Sequence, residues 1–494
     1  MQINPKVWLL IVIAIIAIPI FGSIDKLPIQ LWDESRLAIN AYEGYKAHHW
    51  MVTTFNDLPD TWNTKPPLLI WIQIVFFKMF GVSELSLRLP SAIAGVVTCL
   101  SIFWLFAVRL KKPSFGAMAV FILTTSAGFI KYHHSPRTGD YDALLTCFVT
   151  IYCILYYLYL EDNKRGYLLL SIVFMMLATM TKSVAGLLIV PALLLYTVYK
   201  RKLLTVIKAP HLYLGIAILL GVVLGYYYLR EQYTPGYIEL VKENDLGGRF
   251  AKNNNETGIY IERPLFYYDL IVKEFFNFWF LLGLAGAVVG IMDADKRIKD
   301  LAVWALLISC TLLFVLSEAV NKNNWYDMPM YPFLAVLAAI GVRGVYRILM
   351  RLDVSSLSLR KGVFAYAFIA ILCVPAYVTM AFSSMYPDPG EWIVHNTNMC
   401  KYLKDIYHGA YRPVGDVNIV KDNEYFANID WYAKVLKDKG IKVNIINFEQ
   451  VDPHEKVITF QWQVKDYIER TYNYTLVEKS YNNVVSIYQL KGKR

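Results

Sequence analysis

The chain is poor in cysteine, in charge and in glycine-rich loops. Only six of its 494 residues are cysteine; Cys99, Cys147, Cys153, Cys310 and Cys373 lie inside apolar runs, and Cys400 alone lies in polar surroundings. That spacing excludes a disulfide framework and a zinc-type pattern, leaving the cysteines as small core residues. Charged residues make up 18% of the chain against 56% hydrophobic, too little charge for a soluble multidomain protein. The formal charge of +10 implies no nucleic-acid partner, because the basic residues fall in short groups between apolar runs, as cytoplasmic loops require. No internal repeat is visible, which argues against a transporter. No Ala-x-Ala type cleavage site follows the apolar run at 7–22, so an uncleaved first span is expected.

What the chain does have is long apolar runs. A membrane-crossing helix needs about 20 mostly apolar residues, and candidates stand at 6–23, 88–108, 115–131, 142–160, 166–181, 184–199, 211–229, 265–291, 301–317, 329–348 and 363–384. The expectation is therefore a polytopic all-α membrane protein of about eleven spans. With a cytoplasmic N-terminus, the inside loops are 109–112, 161–165, 200–208, 293–299 and 343–361, and each carries at least two Lys or Arg, which agrees with the positive-inside rule. Pro66–Phe80 does not fit this alternation. It is short and opens on two prolines, so it is expected as an interfacial helix, with Trp62 and Trp71 as headgroup-level anchors.

From 385 onward the pattern becomes water-soluble. Strand-like runs at 417–420, 442–446 and 456–460 alternate with helical stretches at 429–439 and 464–470, which predicts a small α/β domain at 385–494 following a transmembrane domain at 1–384. It carries no glycine-rich phosphate loop, so no chemistry is assigned to it.

This topology gathers Asp33, Glu34, Lys65, Asp140, Asp142, Lys182, Arg249 and the Asn321–Lys322 pair on the outer side. Acids and bases concentrated at one membrane face suit a site that handles a lipid-linked phosphate. Transfer of a sugar from such a lipid needs a base for the acceptor and positive charge for the leaving phosphate. Asp33 is expected as the base, and a second carboxylate nearby would raise the pKa of one of the pair, making it a better base. Two simpler roles compete: Asp33 as a helix N-cap, and Lys182 as a cap between two tightly joined spans. Paired carboxylates, Asp33 and Asp140, would also suit a divalent cation. His48 and His49 are adjacent and cannot share a helix face, so they are taken as interfacial residues rather than ligands. Lys131–His134 is read in the same way, as an outer-interface anchor.

The residues Asp33-Glu34-Ser35-Arg36, Lys65-Pro66-Pro67-Leu68 with Trp71, Arg88-Leu89-Pro90-Ser91-Ala92, Lys182 in a small-residue turn, Glu243-Asn244-Asp245 with Gly248-Arg249-Phe250, Arg263-Pro264 with Tyr267-Tyr268, and Lys322 with Trp325-Tyr326 and Pro329 together resemble one family. It is that of the polyprenol-phosphate-dependent transferases, which includes protein O-mannosyltransferases and the lipid A aminoarabinose transferase. The resemblance implies the all-helical GT-C membrane fold and a glycosyltransferase of a bacterial inner membrane, working on the periplasmic side. It implies a polyprenyl-phosphate sugar as donor, a lipid or glycan as acceptor, membrane lipids as surroundings, and inversion at the sugar. By position, Asp33, Glu34 and Asp140 would be catalytic, and Lys65, Lys182, Arg249, Lys322 and Tyr326 would bind the donor phosphate. The sequence departs from the family's pattern at Leu37, at His48-His49-Trp50 and at Lys182-Ser183-Val184, which leaves the sugar and the acceptor open. A protein O-mannosyltransferase and a transporter are the competing readings.

Overall fold

The computed structural model describes the chain except residues 1–3, 49, 132, 248–264, 353–361, 389, 391–393 and 414–415. It is an all-helical membrane bundle carrying a small C-terminal α/β domain. All eleven apolar runs are helical, but they differ in reach. Among the described residues, seven helices are long and apolar enough to cross a membrane. The pair Phe266–Phe275 and Asn277–Ile291, bent by 113°, is apolar enough to make an eighth if the two halves count as one broken span. The remaining three, Lys6–Phe21, Pro113–Thr124 and Val190–Tyr199, are shorter. Hydropathy counted past their true ends: the chain turns at Thr125-Ser126, and a 3-10 segment, Ser183–Leu187, precedes Val190.

Pro66–Phe80 is helical over Leu68–Phe80. It buries Leu69, Ile70, Gln73, Ile74 and Phe77 and exposes Val75, Met79 and Phe80, one stripe at helical spacing. Close packing of spans rests on small residues. A Cβ at Gly286 would lie 1.8 Å from the Leu337 carbonyl oxygen, so the helices Asn277–Ile291 and Tyr331–Leu349 touch backbone to backbone.

Between the first helix, Pro5–Phe21, and the span Glu84–Trp104 runs a packed loop. It holds the helix Asp33–Ala47 and a hairpin of β1 (Thr54–Phe55) and β2 (Leu58–Pro59). Its anchor is Arg88, almost wholly buried, whose five N–H groups all find acceptors. Nε donates to Glu34 Oε1 at 2.7 Å and Nη2 to Glu34 Oε2 at 2.9 Å; the others reach the carbonyls of Ile24, Leu27 and Pro28. Arg137 does the same for a second loop. It donates to the carbonyls of Pro19, Ile20 and Gly22 at the end of the first helix and to that of Ser384 at the end of the helix Val363–Met385, satisfying acceptors that a helix C-terminus leaves open.

The C-terminal sheet has the order β4–β3–β5–β7–β6, with β3 (Val417–Lys421), β4 (Val443–Asn447), β5 (Lys456–Thr459), β6 (Tyr472–Ser480) and β7 (Val485–Lys493). The first three strands are mutually parallel, and β6–β7 is an antiparallel hairpin that strand patterning missed, as it missed the helix Val394–Tyr407. The domain sits on the Asp33–Ala47 helix. Tyr42 donates to Asp438 at 2.7 Å, Lys434 pairs with Glu43 at 2.9 Å, and Tyr432 donates to Glu84 at 2.6 Å.

Removing one partner of a buried ion pair strands the other charge, at a cost of about 3–5 kcal/mol. Arg88→Met is therefore expected to lower thermal stability in detergent by that order, or to prevent folding. A variant that melts with the native protein would show that the Glu34 pair does not hold the loop.

Candidate active site

Asp33 is the first residue of its helix, where a carboxylate is favoured by the helix dipole. It is not the N-cap, which is Trp32. The Asp33 side chain is 40% exposed, open to a molecule arriving from outside the bundle. Glu34 departs from its expected catalytic role. Successive helical residues point about 100° apart, so Glu34 turns inward. There both oxygens are occupied by Arg88 and by the N–H groups of Gln30 at 2.8 Å and Gly139 at 2.9 Å. Burial acts to raise its pKa, but the Arg88 charge and hydrogen bonds hold it below the ordinary value. It is a structural carboxylate.

The Glu34–Gly139 contact sets the neighbouring loop, and that loop supplies the residue sequence reasoning missed. His134, with a left-handed backbone (φ 67°), is buried flat against Trp325, the ring centroids 4.0 Å apart and the planes 8° from parallel. Its Nε2 lies 3.3 Å from Asp33 Oδ2 and its Nδ1 2.9 Å from Asp142 Oδ2; Asp140 Oδ1 is 4.0 Å away. Asp142 in turn binds Lys182 Nζ through Oδ1 at 2.5 Å. The result is a continuous chain, Asp33–His134–Asp142–Lys182, drawn from four segments. A histidine among acids in an interhelical loop was the available signal; its partner Asp33, a hundred residues earlier, was not visible.

The electrostatics follow. Burial opposes charge on His134, but Asp140 and the hydrogen bonds to Asp142 and Asp33 outweigh it and push the imidazolium pKa up to about 10. Burial likewise acts to raise the Asp33 pKa, yet the His134 hydrogen bond and charge, with Lys65 and Lys182, hold it well below the usual carboxylate range. The rise expected for one of the carboxylate pair therefore does not fall on Asp33: the charge it faces most closely is positive. Asp140 carries the raised pKa, at about 6, because it is buried, and its Oδ1 has no hydrogen-bond partner.

The cationic residues divide. Lys182 Nζ stands 5.0 Å over the Tyr326 ring, and Asn323 donates to the Tyr326 hydroxyl at 2.8 Å. Lys65 Nζ lies 5.5 Å over the Tyr141 ring. Lys322 is buried but turned onto the Ala319 carbonyl, capping the helix that ends at Glu318; the structure does not bring it into the chain. Arg249 lies outside the described residues. Asp142, Lys182, Asn321 and Tyr326 are the polar lining of a narrow cavity whose other walls are apolar, with Leu145, Leu188, Ile189, Leu312 and Leu316 among them. For a metal the fit is poor. Among the described residues no group of three or more His, Cys, Asp or Glu is arranged to hold an ion, and the cationic His134 occupies the ground between Asp33 and Asp140.

Residues 64–228 match the sequence profile of the dolichyl-phosphate-mannose-protein mannosyltransferase family. The fold aligns with ArnT from Cupriavidus metallidurans bound to undecaprenyl phosphate at a TM-score of 0.73, with 14% identity over 98% of each chain. This is a GT-C fold. The GT-C assignment extends to the Archaeoglobus fulgidus oligosaccharyltransferase, at a TM-score of 0.57, 13% identity, 87% of this chain and 63% of that one. By sequence, the chain is 25% identical to an uncharacterised protein of Aquifex aeolicus over 68% of its own length and 63% of that protein's. It is 23% identical to the undecaprenyl phosphate-alpha-4-amino-4-deoxy-L-arabinose arabinosyl transferase of Aeromonas hydrophila over 74% of its length. It spans under two thirds of either relative, 63% and 65%. These likenesses bear out the resemblance to GT-C polyprenol-phosphate glycosyltransferases.

The chain of charges predicts a pH-dependent stability. Asp33, with a lowered pKa, contributes above its unfolded value near about 3.9. His134, with a raised pKa, contributes fully below about 6.5 and loses its contribution as pH rises through about 10. The difference in melting temperature between the native protein and His134→Phe, which keeps a ring on Trp325, is expected to be largest near about pH 5–6 and to fade towards pH 10. A difference constant across that range would mean that the ring's packing alone matters.

Proposed function

We propose that the protein transfers a sugar from a polyprenyl phosphate to a hydroxyl or phosphate oxygen of an envelope glycolipid or glycan, at the outer face of a bacterial inner membrane. The observation that carries this reading is the chain Asp33–His134–Asp142–Lys182, whose last two members line a largely apolar cavity, in a GT-C fold. The isoprenoid occupies the cavity, and its phosphate lies at Lys182, beside Tyr326 and within reach of Lys65. Asp33 takes the acceptor's proton. The acceptor oxygen then forms the new bond to the anomeric carbon as the bond from that carbon to the phosphate oxygen breaks, and the electron pair leaves with polyprenyl phosphate. A single displacement of this kind inverts the anomeric centre.

Each group has a graded task. Lys182 strengthens its contact as negative charge grows on the departing phosphate, which lowers the barrier. His134 keeps Asp33 ionised and oriented; Asp33 is a weaker base for it, but is available across a wide pH range. Orientation draws on the opposite end of the bundle, where Arg109, Lys112, Lys200 and Arg343 gather, paired with Asp162, Asp295, Asp300 and Asp293. Basic loops resist translocation, which supports a cytoplasmic placement for that end and an outer one for Asp33 and the C-terminal domain. A second reading, transfer to a protein hydroxyl, draws on the profile match over residues 64–228.

Asp33→Asn keeps the shape of the side chain and removes the base. With undecaprenyl-phosphate aminoarabinose or mannose as donor, this variant is expected to fold, to melt somewhat lower for want of its pair with His134, and to keep donor binding, yet lose turnover by about 10²–10⁴-fold. Near-native turnover would end the assignment of Asp33 as base.

A further inference from the structure

The C-terminal domain packs against the helix that begins at Asp33, and the loop after β3 reaches the residue before it, Trp32. The chain leaves β3 through the helix Ala427–Asp438 to β4 on one side, then crosses back to β5 on the other. The two helices cover opposite faces: Ala427–Asp438 packs with Ile419 and Ile458, and Trp462–Thr471 packs with Val420 and Val457. The strand order therefore reverses between β3 and β5, and in open parallel sheets ligands bind outside the carboxyl ends of the strands at such a point. Here the two loops at those ends are tied together. The Asp422 N–H donates to Gln461 Oε1 at 3.0 Å, and Gln461 Nε2 donates to Asp422 Oδ2 at 2.7 Å.

From this loop Tyr425 reaches across to the membrane domain and stacks on Trp32, ring centroids 5.3 Å apart and planes 22° from parallel. Behind Tyr425 lies Phe55, at 6.2 Å and 19°. Trp32 immediately precedes Asp33 and keeps 54% of its surface exposed. Its backbone, at φ 74° and ψ −122°, is a conformation dominated by glycine, so an indole held there carries strain. Three facts thus meet at one place: a strained, exposed indole, a switch-point loop that backs it, and the carboxylate assigned as base.

We propose that Trp32, backed by Tyr425, is the platform on which a sugar ring of the acceptor stacks, so that the hydroxyl brought to Asp33 belongs to a saccharide. This rests on the transfer reading of Asp33. An indole face is electron-rich and suits the weakly positive C–H groups on a pyranose face. The C-terminal domain then supplies acceptor selection, a role the absence of a phosphate loop left unassigned.

The test uses the full-length protein in detergent, with the oligosaccharide of a deacylated bacterial lipooligosaccharide as probe and binding read by saturation-transfer NMR and titration. Native protein and Asp33→Asn are expected to bind it. Tyr425→Leu should weaken binding by about tenfold, the order of one aromatic contact, and Tyr425→Phe by less than about twofold. Trp32→Gly is the decisive variant, because glycine relieves the strain at φ 74° while removing the ring. It should lose the oligosaccharide yet melt no lower than the native protein and still bind undecaprenyl phosphate. Equal binding across the variants would overturn the platform. So would no binding by the native protein, or binding of a Ser/Thr peptide in its place with the same dependence on Trp32. Saccharide binding that depends on Trp32 without any transfer by the native protein would instead count against the transfer reading and leave the platform standing.

Discussion

The site depends on one buried carboxylate whose two oxygens are both taken up by donors of the protein itself. Glu34 neutralises Arg88 deep in the protein and also accepts N–H groups from its own loop and from Gly139. A guanidinium with five satisfied donors fixes direction as well as distance, because its planar fork accepts partners only at set angles. Glu34 therefore brings three segments to one point: the loop that follows the first helix, the start of the Glu84–Trp104 span, and the loop that carries His134 and Asp140. Asp33, one residue earlier, turns the other way and emerges where His134 waits. If Glu34 were free to titrate or move, Asp33 would have no fixed partner.

Much of the architecture was legible because membrane helices announce themselves by composition. The apolar runs became helices, the helix Leu68–Phe80 stood where two prolines opened it, and the polar tail formed the expected α/β sheet. Span length was not legible, since hydropathy does not say where a helix yields to a turn; Pro113–Thr124 stops well before its apolar run does, and Val190–Tyr199 begins well inside its own. The β6–β7 hairpin escaped a strand search, although Asn482 and Asn483, both left-handed in the structure, mark its turn.

The candidate site was half legible, and the missing half has one cause. Ionisable residues at span ends are costly and so conspicuous, which picked out Asp33, Asp140, Lys65 and Lys182. Sequence cannot say which of two neighbours faces inward: Glu34 was grouped with Asp33 by adjacency and separated from it by helical rotation. Similarly Asp142, two residues beyond Asp140, is the carboxylate that binds both His134 and Lys182. His134 gains its meaning only when the fold brings Asp33 to it. Charge followed the same logic: the nearest partner of Asp33 is a buried cation and holds its pKa down, so that of the two carboxylates it is Asp140 whose pKa rises.

The central claim is that Lys182 receives the donor's phosphate from the apolar cavity, with Asp142 and His134 linking it to Asp33. The most direct measurement is an experimental structure with undecaprenyl phosphate bound. The account predicts isoprenoid density in the cavity lined by Leu188, Ile189, Leu312 and Leu316 and a phosphate oxygen within about 3 Å of Lys182 Nζ. A phosphate bound elsewhere, with the Lys182–Asp142 pair closed and the cavity empty, would contradict it.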